Sequence, residues 1–136
     1  MGAHERIHTG EVDPVREMVK HTEGNGVDVV LEMSGHPVAI QQGFRMVTNG
    51  GRVSMLGLPS KKVELDITND IVFKGIEIHG ITGRKMFQTW YQTSGLLKSG
   101  AVRLDSLITH TYSLEEFELG FQKMIDGQCG KVLLIP

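Results

Sequence analysis

Three short glycine-bearing loops each follow a run that reads as a β-strand, and they carry the clearest chemistry in this chain of 136 residues. Ser34-Gly35 follows residues 27–33, Gly57-Leu58 follows 52–56, and Gly80-Ile81-Thr82-Gly83-Arg84 follows 77–79. In an open parallel sheet the carboxyl ends of the strands form the crevice where nucleotide cofactors bind. Glycine suits such a place because backbone can approach a ligand closely where no Cβ intervenes. A single glycine at a strand end is usually only a turn, but three in succession feeding one sheet point to a nucleotide site. The Gly-x-Gly-x-x-Gly loop that cradles a dinucleotide pyrophosphate at a helix N-terminus occurs nowhere in the chain. The pattern therefore reads as the later part of a dinucleotide-binding fold, started midway.

Other chemistry-bearing residues have plainer readings. His4-Glu5-Arg6-Ile7-His8 matches the spacing of a zinc-protease helix, in which two imidazoles on one face bind metal and the glutamate activates its water. That geometry needs a helix, whereas this stretch has no apolar helical stripe and meets Thr9-Gly10 at once, so no zinc site is expected here. Gly24-Asn25-Gly26 precedes a strand instead of following one, and reads as a helix stop. His110 has two readings, a proton shuttle or a hydrogen-bonded structural histidine. Lys131, just before an apolar run, either meets a phosphate or stays solvated. Met86, Phe87 and Trp90 recur at helical spacing, as core or subunit contacts would. The one cysteine, Cys129, forms no internal disulfide and builds no four-cysteine zinc site.

The elements that would position these residues alternate. A short strand at 6–8 precedes Asp13-Pro14, an N-cap followed by the proline favoured at the first helical position. Val15, Met18 and Val19 continue that helix. Residues 27–31 are short and β-branched, as in a strand buried on both faces. His36-Pro37 opens a second helix with Ile40, Phe44 and Val47 on one stripe, broken by Thr48-Asn49-Gly50-Gly51 before a second buried strand at 52–58. Extended stretches near 63–67 and 71–78 lead to Gly80, with no helix between them. A helix over 86–98 places Met86, Trp90 and Leu97 on one side and stops at Gly100. Ser113 to Glu116 has capping-box spacing, and Leu114, Phe117, Phe121 and Met124 continue it as an amphipathic helix. Residues 131–135 close as a strand. The alternation is the α/β signature and calls for parallel strands with right-handed crossovers. No repeat, linker or low-complexity tract divides the chain.

Composition removes several classes of function. Lys plus Arg number 14 against 16 Asp plus Glu, which leaves no field to hold nucleic acid or anionic lipid. No apolar run approaches the roughly 20 residues of a membrane helix, and the first residues do not begin a signal peptide. A cytoplasmic protein is expected.

The run Val27-Asp28-Val29-Val30-Leu31-Glu32-Met33-Ser34-Gly35, then Gly50-Gly51-Arg52 and Leu56-Gly57-Leu58-Pro59, resembles the medium-chain, zinc-dependent alcohol dehydrogenases. Phe73-Lys74-Gly75, the stretch from Gly80 to Phe87, Thr89-Trp90-Tyr91, Ile108-Thr109-His110 and the stretch from Gly127 to Val132 are similar to the L-threonine 3-dehydrogenase branch. The resemblance spans essentially the whole chain. It implies the later part of a Rossmann-type parallel sheet with flanking helices, lacking the first two strands, plus a C-terminal return segment. It also implies oxidation of the secondary hydroxyl of L-threonine to 2-amino-3-oxobutanoate with NAD, and assembly as a homo-oligomer, a tetramer in the family. By the same resemblance Leu56, Gly57 and Leu58, with Ile81 and Thr82, hold the nicotinamide half of NAD. Ser34 and Gly35 lie nearer its ribose, and Lys131 lies toward the pyrophosphate. The glycine-rich loop, the acidic ribose-binding residue and every zinc ligand of the family would belong upstream, so the start is expected to be a truncation. The piece alone is expected to bind NAD weakly and to lack activity. The alternatives are a non-catalytic nucleotide-binding or dimerisation module, with the extended stretch 63–78 supplying subunit contacts, and a fragment of another medium-chain alcohol or polyol dehydrogenase.

Overall fold

The computed structural model describes residues 3–136, which fall into two compact units, His4–Gly83 and Arg84–Pro136. No shift in composition marks the change between them. Among the described residues no helix is long and apolar enough to cross a membrane.

In His4–Gly83, helix α1 spans Pro14–His21, and Asp13 caps it as its spacing predicts: Oδ1 accepts from the amides of Val15 and Arg16 at 2.9 and 3.4 Å. Beyond its end the Gly24 amide donates to the Val19 carbonyl at 2.8 Å, and Gly24 takes φ +92°, the left-handed region that glycine fills without a Cβ penalty. Strand β1 (Val27–Glu32), helix α2 (Pro37–Met46), strand β2 (Val47–Met55) and strand β3 (Glu77–Gly80) follow. The sheet order is β1-β2-β3, every pair parallel, which bears out the α/β reading. Ile40 and Phe44 from the expected stripe of α2 are buried with Val47 and Val53 of β2, and these four form the core.

Four details differ from the sequence reading. Residues 6–8 form no strand, because an extended segment joins a sheet only through a ladder partner and none of the described residues pairs with it. Strand β1 is covered on one face only: Val30 lies against Gly43 of α2, while Val29 and Leu31 are 41% and 64% exposed. Both helices of the unit share the covered side, since α1 packs on α2.

The break at Thr48-Asn49-Gly50-Gly51 lies inside β2, not before it. Val27 pairs with Val47 and Val29 with Arg52, so the extra residues bulge out of the ladder. Gly50 has φ +71°, and its amide donates to the Lys74 carbonyl at 2.7 Å. Finally, Ile67–Val72 winds into a π-helical turn. Asp66 starts it, accepting from the Asn69 side-chain amide at 2.7 Å and the Asn69 backbone N–H at 3.0 Å. These two bonds hold the Asp66 carboxyl below its ordinary range. Two residues past the turn, the Lys74 ammonium donates to the carbonyls of Phe44, Arg45 and Val47 at 2.8, 2.7 and 3.0 Å, closing the C-terminal end of α2. Burial draws the pKa of Lys74 down, with Asp70 opposing.

In Arg84–Pro136, helix α3 spans Gln88–Lys98, strand β4 Ile108–Ser113, helix α4 Phe117–Ile125 and strand β5 Lys131–Ile135. Strands β4 and β5 pair in parallel, a partnership the sequence reading did not assign. The capping box forms: Glu116 Oε2 accepts from the Ser113 amide at 3.1 Å and the Ser113 hydroxyl at 3.1 Å. The helix docks on the two strands through Gly120, where an added Cβ would lie 3.1 Å from Val132 and 3.4 Å from Tyr112. Leu114, Phe117, Phe121 and Met124, expected to make its buried stripe, are exposed, as are Met86, Phe87, Trp90 and Leu97. A two-stranded sheet offers too little surface to cover them. The Arg84 guanidinium instead lies 5.4 Å from the centre of the Trp90 ring, within reach of a cation–π attraction.

Candidate functional site

The three strands of His4–Gly83 end side by side, with Glu32 paired to Met55 and Met55 to Gly80. Ser34-Gly35, Leu56-Gly57-Leu58 and Ile81-Thr82 therefore leave the same edge of the sheet. Backbone bonds stitch them together: the amides of Leu56 and Gly57 donate to the Glu32 carbonyl at 2.9 and 3.1 Å, and the Ile81 amide donates to the Met55 carbonyl at 2.9 Å.

Glu32, which the sequence reading did not single out, organises this edge. It is only 5% exposed. Its Oε1 accepts from the Ser34 amide at 3.0 Å, the Ser34 hydroxyl at 2.6 Å and the Gly35 amide at 3.0 Å, and Oε2 lies 3.1 Å from the same Gly35 amide. A buried carboxylate is costly unless it is hydrogen-bonded, and here three donors two and three residues along the chain satisfy it. In sequence Glu32 is only an acidic residue closing the apolar run Val29-Val30-Leu31, with Met33 between it and Ser34-Gly35, a place a solvated carboxylate fills equally well.

The glycines are there because two loops cross. Gly35 takes φ +68°, and a Cβ on it would lie 2.6 Å from the Leu58 carbonyl oxygen. A Cβ on Gly57 would lie 2.1 Å from the Gly35 amide nitrogen and 2.5 Å from Glu32 Oε2. The third loop is open, with nothing within 4 Å of a Cβ on Gly80. Leu56, Ile81 and Thr82 are exposed, and Leu58 is 88% exposed. Among the described residues no protein group bonds the carbonyls of Leu56 or Ile81 or the amide of Thr82. Two acceptors and a donor on neighbouring strand ends suit a flat ligand bearing a primary amide, which offers both kinds of partner.

The remaining sequence candidates belong to other elements. Lys131 begins β5 in the other unit, opposite Ile108, on an apolar hollow of about 410 Å³ with Leu104, Leu107 and Leu133. His110 meets the Thr109 hydroxyl at 2.9 Å and stacks on Tyr112, with ring centres 6.1 Å apart. In the segment with zinc-protease spacing, Glu5 reaches His21 at 2.5 Å and His8 reaches Glu11 at 3.2 Å, in chain that is not helical. Among the described residues no group of three or more His, Cys, Asp or Glu side chains is placed to hold a metal ion. A catalytic zinc does not fit the donors these residues provide.

The family model for zinc-binding dehydrogenases matches residues 1–99. Over 136 residues the chain is 55% identical to L-threonine 3-dehydrogenase of Bacillus licheniformis, covering 100% of this chain and 39% of that protein. It is 47% identical over 137 residues to L-threonine 3-dehydrogenase of Thermococcus kodakarensis, again covering 100% and 39%. Among solved structures, 2R,3R-butanediol dehydrogenase from Bacillus subtilis matches with a TM-score of 0.82 at 30% identity, over 96% of this chain and 37% of that one. An alcohol dehydrogenase zinc-binding domain protein from Burkholderia ambifaria matches with a TM-score of 0.85 at 31% identity, over 99% and 37%. The chain thus spans 39% of the length of these curated relatives. Parallel strands ending in crossed glycine loops, together with a family match over most of its length, show that the chain belongs to the medium-chain, zinc-binding dehydrogenase family.

Proposed function

We propose that the chain forms the nicotinamide side of an NAD-dependent dehydrogenase that oxidises the secondary hydroxyl of L-threonine to 2-amino-3-oxobutanoate. The observation that carries the cofactor assignment is the meeting of Leu56-Gly57-Leu58 with Ile81-Thr82 at one sheet edge, with carbonyls and an amide left unbonded among the described residues. Those groups would fix the carboxamide of the nicotinamide ring and so turn one ring face toward the substrate carbon for hydride transfer. Ser34 and Gly35 would face the adjoining ribose. The substrate assignment rests on identity to relatives named L-threonine 3-dehydrogenase.

The pyrophosphate loop and the zinc ligands of such an enzyme would lie outside these 136 residues. The chain alone is therefore expected to bind NAD weakly and to turn over nothing. Calorimetric titration with NAD and an assay for NADH formation check both points, and robust NADH production from L-threonine by the purified chain would overturn the second. The substrate is tested by exchange. The chain replaces the matching 39% of the Bacillus subtilis L-threonine 3-dehydrogenase, to which it is 53% identical. The chimera should oxidise L-threonine in preference to 2,3-butanediol, and a preference for the diol would assign the segment to a polyol dehydrogenase.

A further inference from the structure

We infer that Glu32 is a positioning residue that ties the two cofactor loops into one rigid ledge, an inference that rests on the cofactor reading above. Its two ends hold different loops. The backbone carbonyl accepts from the amides of Leu56 and Gly57, and the carboxylate accepts from the amides of Ser34 and Gly35 and from the Ser34 hydroxyl. The same carboxylate lies where a Cβ on Gly57 would sit, 2.5 Å from Oε2. The first loop is thus anchored from below, at a distance that leaves room for the second to cross it at Gly57 and for Leu58 to pass Gly35.

No arginine or lysine pairs with this carboxylate among the ion pairs of the described residues. The loop donors alone satisfy it, so its energy is coupled to their geometry. A buried acceptor whose partners all lie on one ligand-bearing turn holds that turn in a single conformation. Preorganisation of this kind lowers the ordering cost of binding without touching the ligand.

The test uses the full 136-residue chain. Glu32→Gln keeps the size and one acceptor oxygen but sets an NH2 group against the Gly35 N–H. Ser34→Ala removes one donor and disturbs less, so it remains informative if the first variant folds poorly. Ile40→Val serves as a control that loosens the core away from the loops. Amide hydrogen exchange by NMR should show Ser34, Gly35, Leu56 and Gly57 exchanging at least tenfold faster in Glu32→Gln, with Val53 little changed. The NAD dissociation constant should rise about fivefold in Glu32→Gln and about twofold in Ser34→Ala, while Ile40→Val lowers Tm and leaves it within error. Wild-type protection of Leu56 and Gly57 in both loop variants would overturn the inference. So would a rise in dissociation constant that merely tracks Tm across all three variants. Failure of the wild-type chain to bind NAD at all would overturn the cofactor reading instead, and the exchange data would still decide whether Glu32 joins the loops.

Discussion

At the scale of single residues, the glycines of the strand ends are not equivalent, although they look alike in sequence. Gly57→Ala would drive a methyl group into the Gly35 backbone at 2.1 Å and into the Glu32 carboxylate. Backbone cannot yield as a side chain does, so a loss of about 1–3 kcal/mol is expected, with weakened NAD binding. Gly35→Ala adds an unfavourable left-handed conformation to a 2.6 Å overlap with the Leu58 carbonyl, and should cost at least as much. Gly80→Ala meets open space at ordinary φ and should change stability by no more than about 0.5 kcal/mol. Urea denaturation of the three variants checks the order, and equal losses at Gly57 and Gly80 would sink the crossing-loop account. The glycine positions could be read from sequence because each follows an apolar run at fixed distance. Glu32 could not, since a carboxylate at a strand end is as readily a solvated side chain, and only the fold shows which donors curl back to it.

At the scale of elements, what the sequence made legible was governed by local chemistry. The Asp13-Pro14 start, the stripe of Ile40 and Phe44, and the Ser113 to Glu116 box are satisfied by groups a few residues away or by one packing face, and the structure contains each of them. The true start of β2 at Val47 depends on distant partners, Val27 in the ladder and Lys74 through the Val47 carbonyl. Replacing that lysine by methionine keeps the aliphatic stem but removes three bonds to the end of α2, at a cost of about 1 kcal/mol after allowance for its partial exposure. A matching loss of stability on urea denaturation would confirm the clamp; an unchanged midpoint would show it idle.

The π-turn supplies a pH test. Because the Asn69 side chain and then its backbone N–H bond the Asp66 carboxylate, the folded pKa lies below the ordinary 3.8. Below that value the unfolded chain binds more protons, so this contribution is complete above the unfolded pKa and is lost as pH falls through the folded one. Carboxyl NMR should find Asp66 titrating below an exposed aspartate. In Asp66→Ala the acid limb of the stability profile should flatten, and an Asp66 that titrates at its ordinary value would remove the basis for both expectations.

At the scale of the whole molecule, the two units differ in how much apolar surface they bury. The four core residues Ile40, Phe44, Val47 and Val53 all belong to His4–Gly83. In Arg84–Pro136 the one residue buried among those described is Gly120, while Trp90, Phe117, Phe121 and Met124 are each about half exposed. Burial of apolar area is the main favourable term in folding, at about 25 cal/mol per Å², and it must offset the entropy of every residue it orders. Hydrogen bonds of the β4–β5 ladder and the capping box add only modest net stability in water. The 136-residue chain should therefore hold β1 to β3 more firmly than β4 and β5. Amide exchange is expected to be fastest in Ile108–Ser113 and Lys131–Ile135 and slowest around Val53 and Ile40. The exposed aromatic and aliphatic side chains should bind a hydrophobic dye, and sedimentation should show association that grows with concentration. The sequence carried half of this conclusion, because the spacing of Phe117, Phe121 and Met124 shows that the helix has an apolar face. It could not carry the other half, since periodicity says that a face seeks cover and not whether 136 residues provide it. Protection in the β4–β5 ladder equal to that at Val53, with no dye binding, would mean that these side chains are buried in solution after all.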